Sequence, residues 1–311
     1  MSSSENPAMP TASRVMSRAE WGMLALLSLL WGGSFMFVGV TIKEVPVFTI
    51  VAFRVLLASI VLHLVLRISG ITFPMRREVL LAFLGMGILN SALPFSLISF
   101  GQARIDSGLA SILNATTPIF TMIFAHLMTK DEKIGPLKAL GVALGFAGVV
   151  VLFSGRDLVA NAALVGQIAG ILAAVSYGLS NIFGRRFAGL KLNPIAMATG
   201  QLSASACIMV PLALIVDHPF SRPLPGLPSI LALTALALVS TAYAYILFFR
   251  ILTRAGATNV SLVTLLVPCS AIALGSLVLG ESLGLREIAG FATIALGLLV
   301  IDGRLLRLLR A

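Results

Sequence analysis

Charged residues are scarce in this sequence of 311 residues: Asp, Glu, Lys and Arg make up 11% of it, whereas 58% of its residues are hydrophobic. A soluble domain carries about a quarter charged residues. At a mean hydropathy of +1.03, the chain has too little polar surface to cover itself in water, so its solvent must largely be lipid. The composition therefore excludes an ordinary soluble protein.

Cysteine and deeply placed acid are also scarce. The two cysteines, Cys207 and Cys269, both lie within apolar runs, a pattern that fits no disulfide framework or metal site. Every Asp and Glu lies in a loop or near the end of a run. The sequence has no paired aspartate, no HExxH motif and no glycine-rich phosphate loop. We therefore predict that the chain is not an enzyme and uses no cofactor, metal or ATP.

The lack of deep carboxylates also disfavours a sodium site and a carboxylate proton relay. Facilitated diffusion or exchange is then the simpler expectation for moving a solute. Coupling through Arg54, His63 or an acid at the end of a run stays open.

What the sequence does have is long apolar runs, and about 20 such residues suffice to cross a bilayer as a helix. Ten runs approach this length, the tenth being the shortest. They are Gly22–Ile42, Val47–Leu66, Val79–Phe100, Gly108–Met128, Leu137–Phe153, Leu164–Phe183, Pro194–Val216, Ile230–Phe249, Asn259–Leu279 and Ile288–Ile301. We predict an all-α membrane protein with ten transmembrane helices.

Two stretches, Ser107–Gly148 and Ala257–Gly297, resemble each other. An offset of 150 residues aligns Pro118 with Pro268 and Ser111 with Ser261, and a one-residue gap then pairs Glu132 with Glu281, Gly141 with Gly290 and Gly148 with Gly297. In each copy a proline interrupts an apolar run and a short charged turn follows. The chain therefore reads as two related halves of five spans. Because five is odd, the second half must be inverted, as in transporters that alternate access around a midplane site.

The predicted organisation is a polar N-terminal tail (residues 1–21), the first five-helix repeat (22–153), a linker loop (154–163), the inverted second repeat (164–303) and a basic C-terminal tail (304–311). Most of the 22 Lys and Arg residues fall on the face that would hold both termini. That bias is the positive-inside pattern, so both termini should be cytoplasmic. The net charge of +10 therefore does not indicate a nucleic-acid partner.

Polar and aromatic side chains inside the runs are candidates for substrate binding. Amides and hydroxyls in hydrocarbon either bond a neighbouring helix or line a wet cavity, and buried tyrosine hydroxyls need partners. Both readings stay open. LWGGSFMF and SYGLSNIF place Trp31 opposite Tyr177 and Ser34 opposite Ser180. The predicted binding residues are Trp31, Ser34, Asn90, Asn114, Thr117, Tyr177, Asn181, Ser240, Tyr243 and Thr264.

Arg54 is the one basic residue well inside a run. A charge there is costly and marks a functional site by default, but a structural role is favoured over substrate contact. Pro94, Pro118 and Pro268 interrupt spans three, four and nine. Because proline removes a backbone donor and bends a helix, these three are candidate hinges.

Taken together, the ten spans, Arg54 in span two, the SGLASILNATTPIFTMIFAHLMTKDE stretch and its VSLVTLLVPCSAIALGSLVLGE counterpart resemble the EamA-type branch of the drug/metabolite transporter superfamily. The resemblance covers residues 21–304 and implies a bacterial inner-membrane exporter. It also implies that spans one, three, four, six, eight and nine surround a central cavity. Spans five and ten would then be peripheral or form homodimer contacts. Trp21–Ile42 lacks the glutamate of small multidrug relatives, which disfavours export of organic cations.

The favoured hypothesis is a secondary transporter that exports small amphipathic metabolites, with amino acids, aromatic ones included, as the first candidates. Its partners would be the small-molecule substrate and membrane lipid. A sugar or nucleotide-sugar transporter, a drug transporter, and a channel or scaffold that does not act as a carrier are the alternatives. Phosphorylated substrates would need several basic groups in the cavity, and only Arg54 is available in the spans.

Overall fold

The structure, a computed structural model, describes residues 16–130, 133–154, 162–190 and 192–302. In these ranges the regular elements are all helical, which confirms the prediction of an all-α protein. Glu132 lies outside the described residues, as do most of the predicted N-terminal tail, most of the linker loop and the predicted C-terminal tail. The described end of the N-terminal tail is already helical from Arg18.

The helices are α1 (Arg18–Thr41), α2 (Val47–Ile68), α3 (Arg77–Gln102), α4 (Ser107–Met128), α5 (Pro136–Phe153), α6 (Ala162–Phe187), α7 (Pro194–Val216), α8 (Leu227–Ala255), α9 (Val263–Leu279) and α10 (Leu285–Asp302). Within the described ranges, α1 to α8 are long and apolar enough to cross a membrane, and α9 is a shorter apolar helix. α10 has 18 residues and carries charges near both ends. In lipid a helix satisfies its own backbone groups. The chain is a multi-pass membrane protein.

Among the described helices, α9 contains a π-helical turn at Gly275–Leu279 that has no counterpart in α4, whereas α3 and α8 contain such turns at matching places. The turns span Ile88–Ala92 in α3 and Leu238–Tyr243 in α8, and the 150-residue offset brings their first residues into register. Such a turn inserts one residue into the helix and is frequent at functional sites. Each turn therefore changes which side chains of its helix face inward.

α4 is interrupted near its middle. It consists of Ser107–Asn114 and Thr117–Met128, separated by a turn. Pro118 has no N–H to donate to the carbonyl of Asn114, and the Thr117 hydroxyl donates to that carbonyl instead, at 2.7 Å. This local compensation lets a broken helix persist at membrane depth.

The first five helices pack against the last five through two similar close crossings. α1 crosses α9 at Gly32, where an added Cβ would lie 2.8 Å from the backbone nitrogen of Ala271. α6 crosses α4 at Gly178, where an added Cβ would lie 2.9 Å from the backbone nitrogen of Thr121. Ala271 and Thr121 correspond under the 150-residue offset. The same contact therefore occurs twice, each time between the two sets of helices.

α5 and α10 form a separate pair at the periphery, with most of their contacts to each other. An added Cβ at Gly141 would lie 2.7 Å from the carbonyl oxygen of Gly297, and one at Gly148 would lie 2.8 Å from that of Gly290. Small residues at such a seam let two helix backbones touch in lipid. The glycines of the two repeated stretches therefore pack against each other.

One end of the helix bundle is closed by a carboxylate. Glu281 lies just beyond α9 and accepts hydrogen bonds from the backbone N–H and hydroxyl of Ser107, at 2.9 and 2.6 Å, and from the N–H of Gly108 at 3.3 Å. Both N–H groups belong to the first turn of α4, where they have no partner within the helix. The contact therefore links the first five helices to the last five.

Two further carboxylates make the same type of contact at this end. Asp217, at the end of α7, accepts from the backbone N–H and hydroxyl of Thr49 in the first turn of α2, at 2.7 and 2.8 Å. Glu44, between α1 and α2, accepts from the N–H of Gly226, just before α8, at 2.7 Å. The Ser229 hydroxyl and this N–H hold the pKa of Glu44 below its ordinary value. We call these three carboxylates, Glu44, Asp217 and Glu281, the closing carboxylates.

Candidate substrate cavity

A cavity of about 680 Å³ lies between the two sets of helices. This volume falls in the range of about 300–1,000 Å³ that is usual for small-molecule sites. Its described walls come from α1 to α4 and α6 to α9, with Lys138 from α5. The resemblance pointed to spans one, three, four, six, eight and nine. α2 and α7 also reach the cavity, through Arg54 and Gln201 among others.

The two ends of the cavity differ. At one end its walls include Lys133, in the loop after α4, and Lys138, in the first turn of α5, and both are exposed. Towards the closing carboxylates the walls finish at Val38, Gln102 and Ser111, all buried. The cavity therefore reaches the surface at the end that carries the two lysines, which we call the open end.

Nine of the ten predicted binding residues lie in the cavity wall. They are Trp31, Ser34, Asn90, Asn114, Thr117, Tyr177, Asn181, Ser240 and Thr264. Arg54, Pro118 and Pro268 line it as well, whereas Pro94 is buried elsewhere, just after the π-helical turn of α3. The fold therefore brings predicted binding residues from six helices, α1, α3, α4, α6, α8 and α9, to one space. Their contact with a substrate and the role of the prolines as hinges stay predictions.

Tyr243 is the exception, because it does not lie in the cavity wall. Its side chain is 48% exposed on the outside of α8 and does not line the cavity. The reason is the π-helical turn that ends at Tyr243. The extra residue puts Tyr245 on the same face as Ser240, and both line the cavity.

Asn90 is the centre of a hydrogen-bonded network in the cavity wall that connects several helices. The Asn90 amide donates to Gln201 and to the Tyr245 hydroxyl, both at 3.2 Å. The Ser180 hydroxyl lies 3.1 Å from the amide oxygen of Asn90. These contacts join α3 to α6, α7 and α8. A buried amide with this many partners holds its neighbours in fixed positions.

Arg54 lies beside this group and is held by two contacts. Its Nε donates to the Thr241 hydroxyl at 2.8 Å, and its guanidinium carbon lies 3.6 Å from the centre of the Phe95 ring. The side chain is only 8% exposed. Among the described residues no carboxylate pairs with it and its two terminal nitrogens make no hydrogen bond. Arg54 therefore brings an uncompensated positive charge to the cavity.

Aromatic rings form much of the remaining wall. The Trp31 ring lies 5.5 Å from that of Phe248, with Phe249 beside it, and Tyr177 lines the cavity from α6. Ser34 donates to the carbonyl of Trp31 at 2.6 Å, and Ser180 makes the same bond to Tyr177 at 2.8 Å. The two corresponding aromatic residues, Trp31 in α1 and Tyr177 in α6, thus each accept the same type of hydrogen bond from a serine three positions later.

Sequence reasoning left Gln201 and Tyr245 out of the predicted set, although both lie in the wall. The 150-residue offset that aligns Pro118 with Pro268 also places Phe95 opposite Tyr245, and both line the cavity. Extending the repeat alignment to α3 and α8 would have selected Tyr245 over Tyr243.

The cavity wall is positively charged. Arg54, Lys133 and Lys138 line it, and none of its described residues is Asp or Glu. Two buried oxygens beside it, Oδ1 of Asn114 and Oγ of Ser240, have no hydrogen-bond partner. In a medium of low dielectric constant, this charge favours an anionic group in the cavity and disfavours a cation.

Comparisons with known proteins were consistent with one another. The profile of the EamA-like transporter family matches the chain twice, over residues 20–154 and 164–302. The "Uncharacterized transporter YoaV" of Bacillus subtilis is 26% identical, with 89% of this chain and 94% of that protein covered. The "Uncharacterized inner membrane transporter YedA" of Escherichia coli K12 is 29% identical, with 90% and 88% covered.

A third relative has a more specific description. The "Probable amino-acid metabolite efflux pump" of Salmonella typhimurium is 28% identical to the chain, with 92% of this chain and 95% of that protein covered. A solved crystal structure superposes with a TM-score of 0.66 at 18% identity and covers 95% of this chain and all of that one. At that identity the superposition shows a shared fold.

Proposed function

Because this chain belongs to the EamA-like transporter family, we propose that it is a secondary transporter that exports small amphipathic metabolites across the bacterial inner membrane, with amino acids as the first candidates. The observation that carries the proposal is the cavity of about 680 Å³ between the two sets of helices, whose wall combines aromatic rings with amides and hydroxyls. Small-molecule sites usually combine these features.

The repeated features support an inverted duplication of five helices. The family profile matches twice, and the glycine crossings and the π-helical turns of α3 and α8 occur at corresponding positions. Transporters with inverted repeats move one part against the other around a central site, so that the site faces each side in turn. We propose this mechanism for the chain, facilitative or by exchange, with the closing carboxylates holding one end shut.

The charge distribution supports an orientation. Lys133 and Lys138 lie at the open end, on the face that holds most of the Lys and Arg residues in the ten-span topology. By the positive-inside pattern this face is cytoplasmic. Both termini would then be cytoplasmic, and the structure would be the inward-open state of the transporter.

Counterflow in proteoliposomes tests the proposal. Vesicles loaded with one unlabelled amino acid are diluted into the same labelled compound, and uptake is followed against protein-free vesicles. A carrier gives transient, saturable accumulation that depends on the internal amino acid. Linear flux that does not saturate would indicate a pore, and the absence of flux for amino acids but accumulation of sugars or cationic drugs would indicate the other transporter classes.

Cavity variants make the test specific to the proposed site. We expect Trp31→Ala and Asn114→Ala to reduce counterflow about tenfold or more, because they remove an aromatic face and an amide from the wall, while the yield of folded protein changes little. Tyr243→Ala is the matched control, since its side chain lies outside the cavity. Full counterflow in both cavity variants would show that the substrate passes elsewhere.

A further inference from the structure

Arg54 lies in the wall of the proposed transport cavity, and a role for it in transport rests on the proposed function. We propose that Arg54 is the anchor for the substrate's carboxylate, so that the cavity takes organic carboxylates with an aromatic or large apolar body. Neutral amides and amines of the same shape would be rejected.

Two contacts hold the Arg54 guanidinium in one orientation. Phe95 covers one face of it at 3.6 Å, and Nε is occupied by the Thr241 hydroxyl at 2.8 Å. A guanidinium has two edges that can bind a carboxylate with two parallel bonds. Because Thr241 occupies the edge that includes Nε, the edge formed by the two terminal nitrogens is the one presented to the cavity.

Among the described residues, the two terminal nitrogens of Arg54 have no hydrogen-bond or ion-pair partner. The side chain is 92% buried, and among the described residues its terminal nitrogens make no hydrogen bond and meet no carboxylate. Intramembrane arginine is normally paired with an acid or with backbone carbonyls. A donor edge that is fixed but unoccupied, in the wall of a cavity, is organised for a group brought by a ligand.

The free edge of the guanidinium and the charge around it select the chemistry of that group. A planar anion with two oxygens matches the free edge. Phosphate would need more positive charge nearby than the described wall provides at this depth, since Lys133 and Lys138 lie at the open end. The rings of Trp31 and Phe248 supply an apolar surface in the same cavity. A carboxylate attached to an aromatic body satisfies both features.

The experiment compares four probes of similar shape: L-phenylalanine, 3-phenylpropionate, L-phenylalaninamide and phenethylamine. Binding to the detergent-purified protein is measured by calorimetry, and counterflow is measured in parallel. We expect the two carboxylates to bind and the amide and amine to bind about 10- to 100-fold more weakly, which is the size of effect expected for charge-assisted hydrogen bonds.

Variants at Arg54 assign the preference to this side chain. Arg54→Gln is expected to remove the preference for carboxylates, and Arg54→Lys to keep it with weaker binding, because lysine retains the charge without the two-pronged edge. Arg104→Gln is the matched control: Arg104 also stacks on a phenylalanine, Phe100, at 3.7 Å, but lies outside the cavity. If Arg54→Gln does not fold, Thr241→Val, which frees Nε, should weaken binding of the carboxylates alone.

The outcomes separate this inference from the proposed function. If the wild-type protein binds none of the carboxylates, or binds the amide as well as the acid, the assignment of Arg54 is wrong. The same holds if Arg54→Gln keeps the preference. If carboxylates bind in an Arg54-dependent manner but are not exchanged across the membrane, the anchor stands and the transport function fails.

Discussion

The two ends of the cavity differ far more than the two crossings at its middle. At the first crossing an added Cβ on Gly32 would lie 2.8 Å from the backbone nitrogen of Ala271. At the second, an added Cβ on Gly178 would lie 2.9 Å from the backbone nitrogen of Thr121, so the two crossings are nearly identical. At the ends, three closing carboxylates bridge the two sets of helices on one side, whereas Lys133 and Lys138 line an opening on the other. Under the proposed mechanism, the two matching crossings form the pivot and the two unlike ends are the parts that change.

The closing carboxylates have a common physical basis. Each one accepts an N–H group at or next to the start of a helix in the opposite set, where the helix dipole and the unpaired donors favour a negative charge. Each such contact is weak on its own, because solvent and salt screen a charge at an exposed helix end. Contacts of this size can hold an end closed and still be broken when a substrate shifts the balance.

The largest effect is expected at the pivot. Gly32→Val should destabilise the protein by about 1–3 kcal/mol or more, because the new side chain meets backbone and cannot be accommodated by a rotamer change. Thermal unfolding in detergent measures this. Gly22→Val on the same helix is the control, since nothing lies within 4 Å of its Cβ position. Equal unfolding temperatures for the two variants would contradict the tight crossing.

The next largest effect is expected from substitutions that open the closed end of the cavity. An added Cβ at Gly275 would lie 2.5 Å from a carboxylate oxygen of Glu281 and 2.6 Å from the Ser107 hydroxyl. Gly275→Ala and Glu281→Gln should therefore both open this end. Ser111→Cys, in a chain that lacks Cys207 and Cys269, reports the opening through its reaction with an impermeant thiol reagent.

We expect labelling of Ser111→Cys from the closed side to become about tenfold faster, since about 1.4 kcal/mol of lost stabilisation shifts the population by this factor. Glu78→Gln is the control, because Glu78 pairs with Arg76 on the surface. An unchanged labelling rate in both closed-end variants would mean that Glu281 does not keep the cavity shut.

The smallest expected effect is a pH-dependent change in the unfolding temperature on substitution of Glu44. Hydrogen bonds from Ser229 and Gly226 lower the pKa of Glu44 from its ordinary value of 4.5. A lowered pKa in the folded state means that ionised Glu44 stabilises the fold above its unfolded pKa, and that this contribution is lost as the pH falls through the folded pKa. Glu44→Gln should therefore lower the unfolding temperature slightly at neutral pH and not at all at strongly acidic pH. A difference that persists in acid would exclude ionisation as its cause.

The sequence predicts the helices well because apolar runs in lipid have few alternatives. The run Pro194–Val216 and the helix α7 have identical bounds, and the run Leu137–Phe153 differs from α5 by one residue. The sequence predicts less well which side chains of a helix face the cavity, because a π-helical turn changes the number of residues per turn. The π-helical turn in α8 exchanged Tyr243 for Tyr245, and no local pattern in the sequence indicated it.

The sequence also did not predict which residues far apart in the chain would contact each other. Glu281 and Ser107 are 174 positions apart, and nothing near either residue identifies the other as its partner. The orientation of Arg54 depends on Thr241 in α8, 187 positions away. The repeat identified which helices correspond, whereas their packing decided which polar groups meet.

The most direct test of the central claim, that the cavity is exposed to each side in turn, is to lock the closed end. Ser107→Cys and Glu281→Cys are combined in a chain without Cys207 and Cys269 and are joined by a short bifunctional thiol reagent, with the Glu281→Cys single variant as the control. The account predicts that cross-linking stops amino-acid counterflow and that reduction of a cleavable linker restores it. Unchanged saturable exchange in the fully cross-linked protein would contradict alternating access through this cavity.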